Sequence, residues 1–161
     1  CIRDRPMDAY DDQIALNQYS RVPISGGELH TGGEPELRMM IERGCYAVYQ
    51  PDALFTGGIE QTRRLNERCR QHGVTYTPHT WTNGLGFAVN LHLWALSERV
   101  KPLEFPLEEP GWIPEARDAM LTEPFLAEGG RVRLPDRPGL GVTVDPDALA
   151  RHGERFFVAE S

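Results

Sequence analysis

Tyr46-Ala47-Val48-Tyr49-Gln50-Pro51-Asp52 is a short apolar run that stops at a proline and an acid. Its valine and tyrosines favour an extended chain, and Pro51, which has no N–H to offer a ladder, closes it. A Gly-rich corner over 51–58 follows, and then Ile59 to His72 repeats Ile59, Thr62, Leu65 and Cys69 on one side at helical spacing before Gly73 stops it. One unit of strand, corner and helix is therefore written in 28 residues, 46–73.

The same unit recurs on either side. Upstream, Val22 to Ser25 reads as a strand ending at Gly26-Gly27-Glu28, and Glu34 to Arg43 as a helix with Leu37, Met40 and Ile41 on one face and Gly44 as its stop. Downstream, Val74 to Thr77 reads as a strand, 78–84 as a corner, and Leu85 to Ser97 as a helix with a wide apolar face of Phe87, Ala88, Leu91, Trp94 and Ala95. Pro102 to Phe105 reads as a further short strand, and Asp11 to Tyr19 as a helix ahead of the repeats. Behind them, Pro106 to Pro124 is rich in proline and acids and reads as an extended excursion. Gly129-Gly130 and Arg131 to Leu134 suggest a turn and strand, Asp145 to His152 a short capped helix, and Phe156 to Val158 a terminal strand.

Strands that alternate with helices pair in parallel through right-handed crossovers, in an open doubly wound sheet or a closed barrel. No GxGxxG and no P-loop follows any strand, which lowers the nucleotide-binding readings. A whole (β/α) barrel takes about 250 residues; the 161 here supply about four units.

A formal net charge of -7 argues against a nucleic-acid footprint, which needs clustered positive charge. No run of about 18 apolar residues is present and Cys1 to Tyr10 lacks a signal-like apolar stretch; the expectation is a soluble, cytoplasmic protein that uses neither membrane nor nucleic acid. Cys1, Cys45 and Cys69 form an odd set without CxxC pairing, so plain buried or partly buried thiols are expected rather than zinc or disulfides.

Each strand ends in an ionisable group: Glu28, Asp52, His79 and Glu104, which lie 24, 27 and 25 residues apart. That interval is one βα unit, so parallel strands bring all four to one edge; in a barrel this is the face that carries catalysis. A single acid after a strand is most often a helix cap or a solvated charge, and a single histidine is usually structural. Four at regular spacing favour a functional constellation.

Pro23-Ile24-Ser25-Gly26-Gly27-Glu28, Gln50-Pro51-Asp52 with Gly57-Gly58-Ile59, Thr77-Pro78-His79 and Leu103-Glu104-Phe105 resemble the later barrel strands of the mandelate racemase/muconate lactonizing enzyme branch of the enolase superfamily. Gly130-Arg131-Val132-Arg133-Leu134-Pro135-Asp136-Arg137-Pro138-Gly139-Leu140-Gly141 is similar to that branch's C-terminal segment. The resemblance implies an α/β fold, with residues 1–108 as the C-terminal half of a (β/α) TIM-like barrel. Residues 109–161 would then form an excursion, hairpin and short helix closing on the barrel or on a capping domain. It implies a homo-oligomer that needs upstream strands and that capping domain; the branch's Lys-x-Lys and first Asp belong to those earlier strands, and Lys101, the single lysine, lies at the wrong end of its strand to replace them.

The site implied by the resemblance is a Mg²⁺-assisted one that removes the α-proton of a small-molecule carboxylate through an enediolate. Glu28 would be a metal ligand, and Asp4 a second one, unless Asp4 or its neighbour Arg5 instead serves as a pairing partner or an anion contact. His79 would take or return the proton, Asp52 would hold its tautomer, and Glu104 would donate a hydrogen bond to the enediolate. Phe55, Trp81, Asn83 and His30 are candidate substrate contacts; Trp81 reads equally as rim packing, Asn83 as a turn residue and His30 as part of a solvated loop. Dehydration of an acid sugar is the implied reaction, with racemisation or epimerisation as its nearest rival and a non-catalytic carboxylate-binding barrel as the rival from another class.

Overall fold

The computed structural model describes residues 6–97 and 102–154. Asp4, Arg5, Lys101 and the strand expected at Phe156 to Val158 lie outside the described residues.

Helix α1, Tyr10–Tyr19, leads into three βα units: β1 Ser25–Gly26 with α2 Gly33–Arg43, β2 Val48–Tyr49 with α3 Ile59–Gln71, and β3 Thr75–Tyr76 with α4 Gly84–Ala95. The strands pair in parallel in the order β1-β2-β3, with Ser25 beside Val48 and Val48 beside Thr75. These ladders are shorter than the apolar runs suggest, because Pro51 and Pro78 end them from one side. Backbone bonds still extend the pairing, with Gln50 N–H donating to Gly26 O at 2.8 Å and Thr77 N–H to Tyr49 O at 3.0 Å. The expected fourth strand, 102–105, forms no backbone ladder among the described residues. It is held against the sheet by the Thr77 hydroxyl, which donates to Pro102 O at 3.1 Å.

Side chains at helical spacing form the layer outside the sheet. Leu37, Met40 and Ile41 of α2, Leu65 and Cys69 of α3, and Tyr49 and Tyr76 of the strands pack in one buried cluster. Cys45 and Cys69 are free, buried thiols, as expected. Gly44 stops α2 in the left-handed conformation at φ 74°, which costs a glycine nothing and lets its N–H and that of Cys45 satisfy the last carbonyls. On α3, Ile59 departs from the expected stripe and is 54% exposed, whereas Thr62, Leu65 and Cys69 are buried. On α4, Ala95 is exposed and Leu93 buried in its place.

The segment after 105 is folded. Helix α5, Pro114–Arg117, an antiparallel pair β4 Ala127–Glu128 with β5 Arg131–Val132, and helix α6 Pro146–His152 follow in order. Leu121 and Phe125 pack on Phe87, Ala88 and Leu91 of α4, giving a second cluster that joins this segment to the βα units. Asp145 caps α6, accepting from the N–H groups of Asp147 and Ala148, with Pro146 in the first turn. No described helix is long and apolar enough to cross a membrane.

Candidate active site

Register alone brings two of the expected residues together. Tyr49 pairs with Tyr76, so Asp52 and His79, each the third residue beyond its tyrosine, leave the sheet side by side. His79 Nδ1 lies 3.1 Å from Asp52 Oδ2. Asp52 is fully buried, and the His79 side chain is 12% exposed.

The remaining acceptor capacity of Asp52 is also met. Its Oδ1 accepts from Leu54 N–H at 2.9 Å and from Asn90 Nδ2 at 2.8 Å. Asn90 in turn accepts from Ala53 N–H at 3.1 Å. With Asp52 acting only as an acceptor, neutral His79 must carry its proton on Nδ1, leaving Nε2 as the basic atom. The hydrogen bond to Asp52 raises the His79 pKa, burial opposes this, and the negative charges of Glu104, Asp52 and Glu28 add to the rise.

Glu104 is tied to the same loop, because its Oε2 accepts from Thr80 N–H at 2.8 Å while its backbone carbonyl accepts from the Thr80 hydroxyl at 2.6 Å. Glu28 stands half-buried two residues past β1, within electrostatic reach of the imidazole. The four ionisable groups expected from spacing thus occupy one edge of the sheet. A carboxylate is the oxygen donor that a hard dication takes, and Glu28 fits that part, but no group of three His, Cys, Asp or Glu side chains among the described residues forms a complete set.

The four candidate substrate contacts fall in different settings. The Phe55 ring, 46% exposed, lies 6.4 Å from that of His79. Trp81, 40% exposed, stacks on Trp112 with ring centres 6.4 Å apart. Asn83 caps α4 by accepting from Gly86 N–H at 3.0 Å. His30 is buried rather than in a solvated loop, with Nδ1 2.7 Å from Glu36 Oε1, an oxygen that also accepts from the Tyr10 hydroxyl at 2.8 Å. Burial works to raise the Glu36 carboxyl, but the hydrogen bonds from His30 and Tyr10 prevail and hold it below its ordinary value.

Two residues of the network, Asn90 and Thr80, were not singled out by sequence reasoning. Asn90 had a faint signal, a lone amide between Ala88 and Leu91 on an apolar helix face. Thr80 had none beyond following His79.

Parallel βα units that carry an acid or a histidine at each strand end define the C-terminal part of a (β/α) barrel, and the chain belongs to the enolase C-terminal domain-like family, whose profile matches residues 5–148. Among its relatives is D-galactarolactone cycloisomerase of Agrobacterium fabrum, 33% identical over 83% of this chain and 38% of the relative. L-Rhamnonate dehydratase of Saccharopolyspora erythraea is 30% identical over 76% of this chain and 32% of the relative. The crystal structure of 3,6-anhydro-D-galactonate cycloisomerase from Zobellia galactanivorans superposes with a TM-score of 0.76 at 28% identity, covering 88% of this chain and 39% of that one. The chain therefore spans between about a third and two-fifths of the length of these relatives.

Proposed function

We propose that this chain supplies the His79 side of a site that abstracts the α-proton of a small carboxylic acid, most plainly an acid sugar that then loses its β-hydroxyl. The observation that carries this reading is the 3.1 Å contact of a fully buried Asp52 with His79 at the end of adjoining parallel strands. Asp52 holds the ring with Nε2 outward; Nε2 takes the α-proton, or delivers one to the departing hydroxyl. Glu104, fixed by Thr80, donates a hydrogen bond to the enediolate when protonated. Phe55, whose ring lies beside that of His79, and Trp81, Asn83 and His30 are assigned to substrate contact around this site.

Glu28, with Asp4, would hold Mg²⁺. That ion would supply Lewis-acid stabilisation of the charge growing on the substrate carboxylate. A homo-oligomeric, cytoplasmic enzyme completed by upstream strands and a capping domain belongs to the same proposal, and so does the division into 1–108 and 109–161.

Isomerisation is the second reading, favoured by the 33% identity to a cycloisomerase. Incubating the full-length protein and Mg²⁺ with a panel of acid sugars and their lactones in deuterium oxide separates the two. A dehydratase yields a keto acid lighter than its substrate by one water, whereas an isomerase, whether it racemises, epimerises or opens a lactone, gives a product of the substrate's own composition apart from the exchanged deuterium. Neither product nor exchange with any acid, together with no heat of Mg²⁺ binding in calorimetry, would leave a carboxylate-binding barrel instead.

A further inference from the structure

We infer that Asn90 is a positioning residue of this site: its amide clamps the Asp52 carboxylate so that Oδ2 stays on His79 Nδ1 and Nε2 remains the proton-transferring atom. The inference rests on the reading of His79 as the base.

The geometry allows one orientation of the amide. Asn90 Oδ1 faces the N–H of Ala53 at 3.1 Å and Nδ2 faces Asp52 Oδ1 at 2.8 Å. A flipped amide would set N–H against N–H and oxygen against oxygen, so the assignment follows from its partners. Asn90 is fully buried, near Phe87, Ala88 and Leu91 on the same helix, all buried and apolar. A leucine of similar size would be the ordinary occupant of such a place, and an amide there is tolerable only because both its ends are bonded.

The clamp answers a specific weakness of a carboxylate. The torsion that turns its two oxygens is soft and two-fold, so a single donor on Oδ1 would leave Asp52 free to swing off the imidazole. Leu54 N–H and Asn90 Nδ2 both bind Oδ1 and approach from different elements, the β2 corner and α4. Rotation then breaks two bonds, and only Oδ2 is left to meet His79. The other groups acting on the ring, Glu104, Glu28 and Phe55, offer nothing equivalent at Nδ1.

The test reads the imidazole directly and needs no substrate. In full-length protein labelled with ¹⁵N-histidine, the ring shifts of His79, assigned by their loss in His79→Asn, report which nitrogen carries the proton above the titration. The wild type is expected to hold the Nδ1–H form. Asn90→Leu, which keeps the heavy-atom count and branching of the side chain and removes both amide ends, should reduce the Nδ1–H to Nε2–H ratio about tenfold, equivalent to ~1.4 kcal/mol. Asn90→Ala, which removes both amide ends and adds no bulk, should do the same. Where a substrate is known, kcat should fall by a similar factor with KM unchanged. A folded variant of either kind with the wild-type tautomer overturns the inference, and failure of both to fold makes Asn90 a packing residue and overturns it too. Absence of α-proton exchange in the wild type would instead strike at the function, leaving the tautomer result to stand.

Discussion

Asp52 has no solvent exposure, yet a carboxylate survives there because Leu54 N–H, the Asn90 amide and the His79 ring all donate to it. Asp52→Asn keeps the shape and can leave its oxygen on the two donors, Leu54 N–H and the Asn90 amide, but its NH2 then faces His79 Nδ1, so the ring must take the Nε2–H tautomer and lose its basic atom. Proton exchange at the substrate α-carbon, followed in deuterium oxide, should fall about 10²- to 10⁴-fold. The same contact sets a pH dependence. His79 titrates above its ordinary 6.5, chiefly through the Asp52 hydrogen bond against the pull of burial. The folded protein therefore holds a proton that the unfolded chain releases. The pair's stabilisation is complete below about pH 6.5 and fades as pH rises through the higher folded value. The difference in Tm between wild type and His79→Asn should shrink across that window, while proton abstraction, which needs the neutral ring, should rise across it. A Tm difference that is flat from about pH 6 to pH 9 would deny the pair its ionic character. That Asp52 and His79 belong together was legible because both close a strand one βα unit apart. Asn90 was not, since a lone amide on an apolar helix face shows that it is buried but not which group it bonds.

Helices α2 and α3 match their sequence boundaries within a residue or two because leucine and cysteine stripes and a following glycine fix both the face and the stop. The strands were legible in place and direction but not in length, since a ladder ends where proline withholds its N–H, whatever the apolar run around it. The stretch 102–105 shows the limit of that reading, for its tethers to the β3 strand and its corner are the hydroxyls of Thr77 and Thr80, side-chain bonds that no strand pattern encodes. At α4 the start is set by two positions. Asn83 accepts from Gly86 N–H at 3.0 Å, so Asn83→Ala should cost about 1 kcal/mol in a urea melt. Gly84 is there for space: a Cβ would stand 2.7 Å from both Asp118 Oδ1 and Leu121 Cδ1. Asp118 is pinned by Arg117 and by Phe125 N–H and cannot retreat. Gly84→Ala should therefore destabilise by about 1 to 3 kcal/mol despite the better helix propensity of alanine. A neutral or stabilising result would mean that the segment around 118–121 is free to move away.

Across the whole molecule, what joins the segment after 105 to the βα units is a buried cation that composition concealed. The proline and acid content of 106–124 suggests an extended chain, yet the segment turns on Arg117 and Asp118, adjacent residues that read as ordinary surface charges. The Arg117 side chain is buried, forked onto Asp118 through contacts of 2.7 and 2.6 Å, and donates to Pro106 O at 3.2 Å and Phe125 O at 2.8 Å. Its guanidinium lies 4.6 Å from the centres of both the Phe87 and Phe105 rings. One residue thus connects α4, the 102–106 stretch and the loop before the hairpin. Arg117→Met fills much of the same volume but leaves the Asp118 carboxylate buried without its cation and two carbonyls without donors, a change that should cost about 3 to 5 kcal/mol. Lysine should rescue little, because an ammonium cannot match the fork or spread over two rings. The effect has a local readout, since the same segment holds Trp112 against Trp81. As the segment loosens, tryptophan emission should shift to the red at denaturant concentrations that leave helix content unchanged. A urea midpoint within error of wild type, with unshifted emission, would mean that the aromatic cluster of Phe87, Phe105 and Phe125 holds the segment by itself.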